Sequence, residues 1–421
     1  MKLRKTSAAI GAVITVALSA CGGDDHVAGQ TVAPPFASFQ AAALVLGQRD
    51  FVSGQENGGQ SGPSDSGLVY PSGMAVSADG VLFVSEWQNN RVIGFTAGVS
   101  SSNGAPATIV LGQEAFSSNI EQVTSTSHPR PESVRISGGR MAVAHHRAHR
   151  VVVFDTVPTA HGAEPDHLFG QIDYQDSASG CGPNALANPE DAFLTQDGKL
   201  VVADSSNHRV LIWNSLQSAQ PDVVLGQGTL TRCEPNDDNQ DGTADGAPSA
   251  RTFRRPGSIW SDGTRLAVAD TENHRVLIWN RFPTSHFQPA DLVLGQDSFT
   301  AAAFNDDNQD GLPDARPSSR TFQTPLGIDL DGDRLALADN DNNRVLIWDR
   351  FPTRNFQPAD VVLGQATFDA AARNDADQDG TADGLPSDRT LFDPKAVLFH
   401  KGDLLVGDSG NNRILVFRRR P

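Results

Sequence analysis

The chain has 421 residues, a formal net charge of −17 at pH 7 and a pI near 4.9. This acidic excess argues against a nucleic-acid partner, whose phosphates it would repel, and favours cations as ligands. The length allows one large domain or two to three average ones.

Lys2, Arg4 and Lys5 lead an apolar stretch, "AAIGAVITVAL", which is short for a bilayer span, and "LSAC" closes it at Cys21. The pattern resembles the lipobox of bacterial lipoproteins, whose cysteine is lipidated and becomes the mature N-terminus. Residues 1–21 are therefore expected to be a lipoprotein signal peptide. Gly22 stands where an inner-membrane retention signal would show Asp, so the resemblance implies outer-membrane anchoring in the cell envelope. The lipid is the one membrane anchor expected. Residues 22–40, "GGDDHVAGQTVAPPFASFQ", read as a flexible tether, and 41–421 as the folded part.

From residue 44 the sequence repeats itself. "LVLGQRDF" (44–51) recurs at 109, 167, 223, 292 and 361, the last three copies being "VVLGQGTL", "LVLGQDSF" and "VVLGQATF". A second unit also occurs six times, most clearly as "VADSSNHRVLIWN" (202), "VADTENHRVLIWN" (268) and "LADNDNNRVLIWD" (337). A proline and a short apolar run precede each: Pro71, Pro131, Pro189, Pro256, Pro325 and Pro394. In the fourth copy the runs are "GSIWS", "RLAVAD", "RVLIWN" and "DLVLGQ", divided by Gly, Asp and Asn turns. They are β-branched and aromatic, four to six residues long, and lack a helical period, so each copy predicts four strands.

One such sheet cannot bury both faces, whereas six arranged radially can. The core "D-x-x-N-[HN]-R-[VI]" resembles the NHL-repeat family, and the resemblance covers residues 44–417. It implies an all-β, six-bladed β-propeller with four antiparallel strands per blade. The first copy has Glu86 for the Asp, and the second has His145 for the Asp and Ala148 for the Asn. The last repeat ends on "RILVF" with no "VLGQ" after it, so strand 44–48 is expected to close the ring beside 413–417.

Three copies carry an acidic loop: "NDDNQDGTADG" from Asn236, "NDDNQDGLPDA" from Asn305 and "NDADQDGTADG" from Asn374. Strand parity puts these loops on the same rim as the Asp-x-x-Asn turns, around the half of it that belongs to blades four to six. Asp237, Asn239, Asp241 and Asp245 follow "D-x-[DN]-x-D-G-x-x-D", an oxygen spacing suited to Ca²⁺. Asp306, Asn308, Asp310 and Asp314 repeat the pattern, as do Asp375, Asp377, Asp379 and Asp383. It resembles the calcium loops of thrombospondin type 3 repeats and dockerins. Pro248, Pro317 and Pro386 replace the twelfth-position Glu of an EF-hand, which implies weak sites. The alternative is a solvated run of Asx-turns copied when blades were duplicated. Without a cation, the clustered carboxylates are expected to repel and fray the loops.

Cys181 and Cys233 precede neighbouring blades and are expected to pair outside the cytoplasm. "HHRAH" (145–149) offers three imidazoles, but a diverged turn explains them better than zinc. The Asp204–Asn207–Arg209 type of turn reads as a network that holds the fold. Glu132, Glu190 and Asp191 lie at the entrances of inner strands and are the candidate channel acids. No Gly-x-Ser-x-Gly elbow is present. The expectation is a lipid-anchored envelope protein that binds or scaffolds a protein or glycan partner through a calcium-binding rim. The alternative is a lactonase-like or amidating-lyase-like hydrolase or lyase with a metal in the central channel.

Overall fold

The computed structural model describes residues 35–100, 102–160 and 162–420. Cys21 and the expected signal peptide lie outside the described residues. Those residues form six four-stranded antiparallel sheets and no α-helix, giving the six-bladed propeller that the repeats predict.

Within each blade the strands run from an inner strand that opens on the proline to an outer "VLG" strand. In blade four these are Pro256–Ser261, Leu266–Asp270, Arg275–Trp279 and Leu292–Leu294. Consecutive side chains alternate between the two faces of a blade, and both faces pack on neighbouring blades. That is why the runs are apolar without alternation. Ala269, Val276, Ile278 and Leu294 face blade five, whereas Val268, Leu277 and Val293 face blade three.

The ring closes as expected. Leu44–Leu46 pairs with Arg413–Phe417, with Val45 opposite Leu415, so the last blade draws its outer strand from the other end of the chain.

The tether expectation needs correction at its end. Phe36 is fully buried among Val45, Val397 and Phe417, and the Phe39 N–H donates to the carbonyl of Val362 at 3.0 Å. Residues 35–40 therefore belong to the propeller. "PPFASF" carries two aromatics that a solvated tether would not need, and the polar composition around them masked that signal.

The repeated "GQ" has two mechanical reasons. Gly295 sits at φ 88°, and a Cβ there would lie 2.4 Å from the Phe322 ring. Gln296 then donates from Nε2 to the carbonyls of His274 and Ala303, tying the turn of its own blade to the connecting loop. The other five copies make the same pair of bonds.

Candidate functional site

The motif turns fix the rim. In blade four Asp270 is fully buried. Its Oδ2 accepts from Arg275 Nε at 2.8 Å and Asn273 Nδ2 at 2.8 Å, and its Oδ1 accepts the Arg254 N–H at 2.7 Å. Burial pushes the carboxyl up while Arg275 pulls it down. The guanidinium also donates to the carbonyls of Ser249, Thr252 and Phe299. All three guanidinium nitrogens are thus hydrogen-bonded, and removing either partner of the pair would leave a costly unpaired charge in the core. The network recurs in blades one, three, five and six as Glu86–Arg91, Asp204–Arg209, Asp339–Arg344 and Asp408–Arg413.

Blade two replaces the carboxylate with a histidine pair. Arg150 Nε donates to His145 Nδ1 at 3.0 Å, and His145 Nε2 meets His128 Nδ1 at 2.7 Å. Burial and Arg150 hold both rings well below the usual imidazole range, His128 at about 3. "HHRAH" is thus part of the turn network, and its three rings do not converge on a metal. His149 instead accepts the Asn188 N–H at 3.0 Å.

The acidic loops dock on these turns. Asn236 and Asn273 exchange amide hydrogen bonds at 3.1 and 2.9 Å, and Asn305–Asn342 and Asn374–Asn411 do the same. The first Asp of each loop is buried beneath it. Asp375 accepts the N–H groups of Asp379 at 3.1 Å and Gly380 at 2.9 Å, while Asp383 accepts that of Ala376 at 2.8 Å. Asp237 and Asp306 make the equivalent bonds, Asn239 and Asn308 accept the N–H groups of Asp241 and Asp310, and the Asp241 and Asp310 carboxylates accept those of Thr243 and Leu312. Asp245 and Asp314 close the other two loops in the manner of Asp383. The fraying expected from repulsion is therefore opposed by a shell of backbone donors.

Gln240, Gln309 and Gln378, to which the sequence reading assigned no role, pin the loops to the "VLGQ" exits. Gln378 Oε1, for example, accepts the Ala366 N–H at 2.7 Å.

The three loops differ as cation seats. Asp375, Asp377 and Asp383 bring one oxygen each within 4.8 Å of one another, the sole such group among the described residues. Each hydrogen-bonded oxygen keeps a further lone pair for a cation. In the first loop Asn239 replaces the second carboxylate, and Arg232 Nη1 lies 3.5 Å from Asp237 Oδ2. The residue after Arg232 is Cys233, which is disulfide-bonded to Cys181 with Cα atoms 6.2 Å apart.

Glu132, Glu190 and Asp191 each have a cation already. Lys395 Nζ is ion-paired with Glu132 and lies 3.9 Å from Glu190 Oε2, and its ammonium is 5.4 Å from the Tyr70 ring centre. Burial pushes the Glu132 carboxyl up to about 7 against the pull of Lys395, while burial of Lys395 is outweighed by the two glutamates, which hold it above its ordinary range. Arg135 forks onto Asp191 through Nε at 3.0 Å and Nη2 at 2.7 Å, and Asp191 also accepts from Ser258 Oγ and the Ile259 N–H. This waist encloses about 40 Å³, room for about three waters. A divalent cation on Glu132 and Glu190 would have to displace the Lys395 ammonium, so the donor set does not fit a resident metal.

Lys395 and Arg135 escaped the sequence reading. Aligning the copies from their prolines exposes them. The next residue is Ser72, Glu132, Glu190, Gly257, Leu326 and Lys395, and the fourth is Ala75, Arg135, Phe193, Trp260, Asp329 and Leu398. Charge at two positions of an otherwise apolar strand is the signal.

Residues 186–213, in blade three, match the NHL repeat. No curated protein matches the sequence significantly. Among solved structures, the propeller resembles an auxiliary nutrient binding protein from Bacteroides thetaiotaomicron at 11% identity and a TM-score of 0.47, covering 90% of this chain and 76% of that one. It also resembles virginiamycin B lyase from Staphylococcus aureus at 10% identity and a TM-score of 0.39, covering 83% and 95%.

Proposed function

We propose that the protein is a cell-envelope binding or scaffold propeller, held to the outer membrane by a lipid on Cys21. It contacts a protein or glycan partner through the acidic half of its rim. The observation that carries this reading is the ion pairing of Lys395 with Glu132 and Glu190, together with that of Arg135 with Asp191. Glu132, Glu190 and Asp191 neutralise cations of the chain itself, which leaves the acidic loops as the rim's unspent charge. Ca²⁺ fits the third loop best and would cancel part of that charge while stiffening the surface.

The test is capture from an envelope extract, with and without calcium, by the parent and by the triple variant Asp241→Ala, Asp310→Ala, Asp379→Ala. Retention that needs both calcium and the intact loops supports the reading. Identical retention by the variant, or none by either, overturns it. Cys21→Ser should in addition release the protein from the membrane fraction.

A further inference from the structure

On the face opposite the acidic loops the channel widens into a funnel of about 490 Å³, within the range of small-molecule sites. Its wall is built from the ends of the inner strands, and the fourth residue after each proline lines it in every blade. The residues there diverge even where blades four and five are near copies: Trp260 in one is Asp329 in the other, a step of 69 residues along the chain. Phe193, Trp260, Leu398 and Phe399 supply apolar and aromatic surface, and the Arg135–Asp191 pair forms the floor.

Asp329 is the exception among the channel acids. It is 9% exposed and has no ion pair among the described residues, and its Oδ2 accepts the Phe399 N–H at 2.6 Å. Arg135 is the cation whose charge acts on it, and Asp191 already neutralises that guanidinium through a bidentate contact. The floor and wall thus hold two carboxylates against one guanidinium. A buried carboxylate without a counter-ion is costly unless a cation completes it.

We propose that this funnel binds a small organic cation, an ammonium-bearing ligand whose charged head meets Asp329 and whose apolar part lies against Phe193, Trp260 and Phe399. Aromatic faces attract such a cation through their quadrupole, and a desolvated carboxylate supplies the rest. A neutral sugar would gain the aromatic contact but leave Asp329 uncompensated. Burial pushes the Asp329 carboxyl up to about 6, so a cation should bind less tightly as the pH falls below that value. The site is independent of the acidic rim.

Titration of benzyltrimethylammonium, followed by Trp260 fluorescence and calorimetry, tests the proposal. The neutral isostere 2,2-dimethylpropylbenzene and a glucose oligosaccharide serve as the other two probes. We expect saturable binding of the cation alone. Asp329→Asn, which keeps an acceptor for the Phe399 N–H, should weaken it by about tenfold or more, as for the loss of a charge–charge contact in a desolvated site. Asp262→Asn, at the exposed lip, should leave it unchanged, and Phe193→Ala should weaken it without altering the melting temperature of the ring by more than a few degrees. Binding of the neutral probe or the oligosaccharide with equal affinity would overturn the proposal. So would cation binding indifferent to Asp329→Asn, or no binding to a protein shown to be folded.

Discussion

The backbone N–H of Tyr70 donates to Oδ1 of Asn412 at 3.0 Å, across the seam where the last blade meets the first. The same contact joins every pair of neighbours: Arg130 to Asn90, Asn188 to His149, Arg255 to His208, Thr324 to His274 and Asp393 to Asn343. Donor and acceptor residues alike have φ between 45° and 57°. The motif's His or Asn is thus a latch, polar enough to accept the bond and tolerant of left-handed backbone.

Asn412→Ala should therefore destabilise the ring by about 2–4 kcal/mol, through lost bonds to Tyr70 and Gly54 and the left-handed strain of alanine. Asn412→Gly should cost about 1 kcal/mol less, because glycine escapes the strain. Denaturant unfolding measures both. Parent-like stability of the alanine variant would mean that the latch is not needed.

Phe36 plugs the outer end of the closing blade. Phe36→Ala should cost about 3–5 kcal/mol, the usual range for a fully buried phenylalanine. A chain starting at residue 49 loses the closing strand as well, exposing Arg413–Phe417 as an edge. Its melting temperature should fall further than that of Phe36→Ala, and calorimetry would show if it does not.

Calcium should raise the melting temperature with affinities on the order of 10⁻⁴ to 10⁻³ M, and magnesium should do so less. The third loop should fill first, because Asp377 adds a carboxylate there and, among the described residues, no arginine is ion-paired with its acids. The first should fill last, with Arg232→Ala improving it by removing the guanidinium beside Asp237. Calorimetry on single-loop variants gives the order. Absence of both heat and melting shift at about 5 mM calcium, above the expected affinities, would leave the loops as solvated turns.

Blade two should be the acid-sensitive blade. His128 has a folded pKa of about 3 against 6.5 when unfolded, so its neutral form is favoured by folding. That stability is complete above pH 6.5 and drains away as the pH falls toward 3, by about 2 kcal/mol at pH 5 from this ring alone. His145 moves in the same direction. The other blades carry a buried Leu or Phe where His128 stands, so His128→Leu with His145→Asp restores their pattern. The double variant should unfold at a lower pH than the parent. An unchanged acid midpoint would place the sensitivity elsewhere, for example in His208 and His274, both held near 4 by burial.

Six repeats settled the architecture in advance, because a sheet with two apolar faces has few ways to bury both. The unpaired strand count settled ring closure for the same reason. Local chemistry was legible too: the Asp–Asn–Arg turn and the acidic loops rest on residues close together in sequence. What the tertiary structure decided are contacts between copies. Lys395 meets Glu132 from four blades away in the chain, and Asp329 is left without a cation because Arg135 faces Asp191 instead. The periodicity that reveals strands says nothing of how unlike residues at one repeat position face each other across a ring. Only closing the ring brings ends and blades that are far apart in sequence to a common axis, and the charges there pair by distance through space.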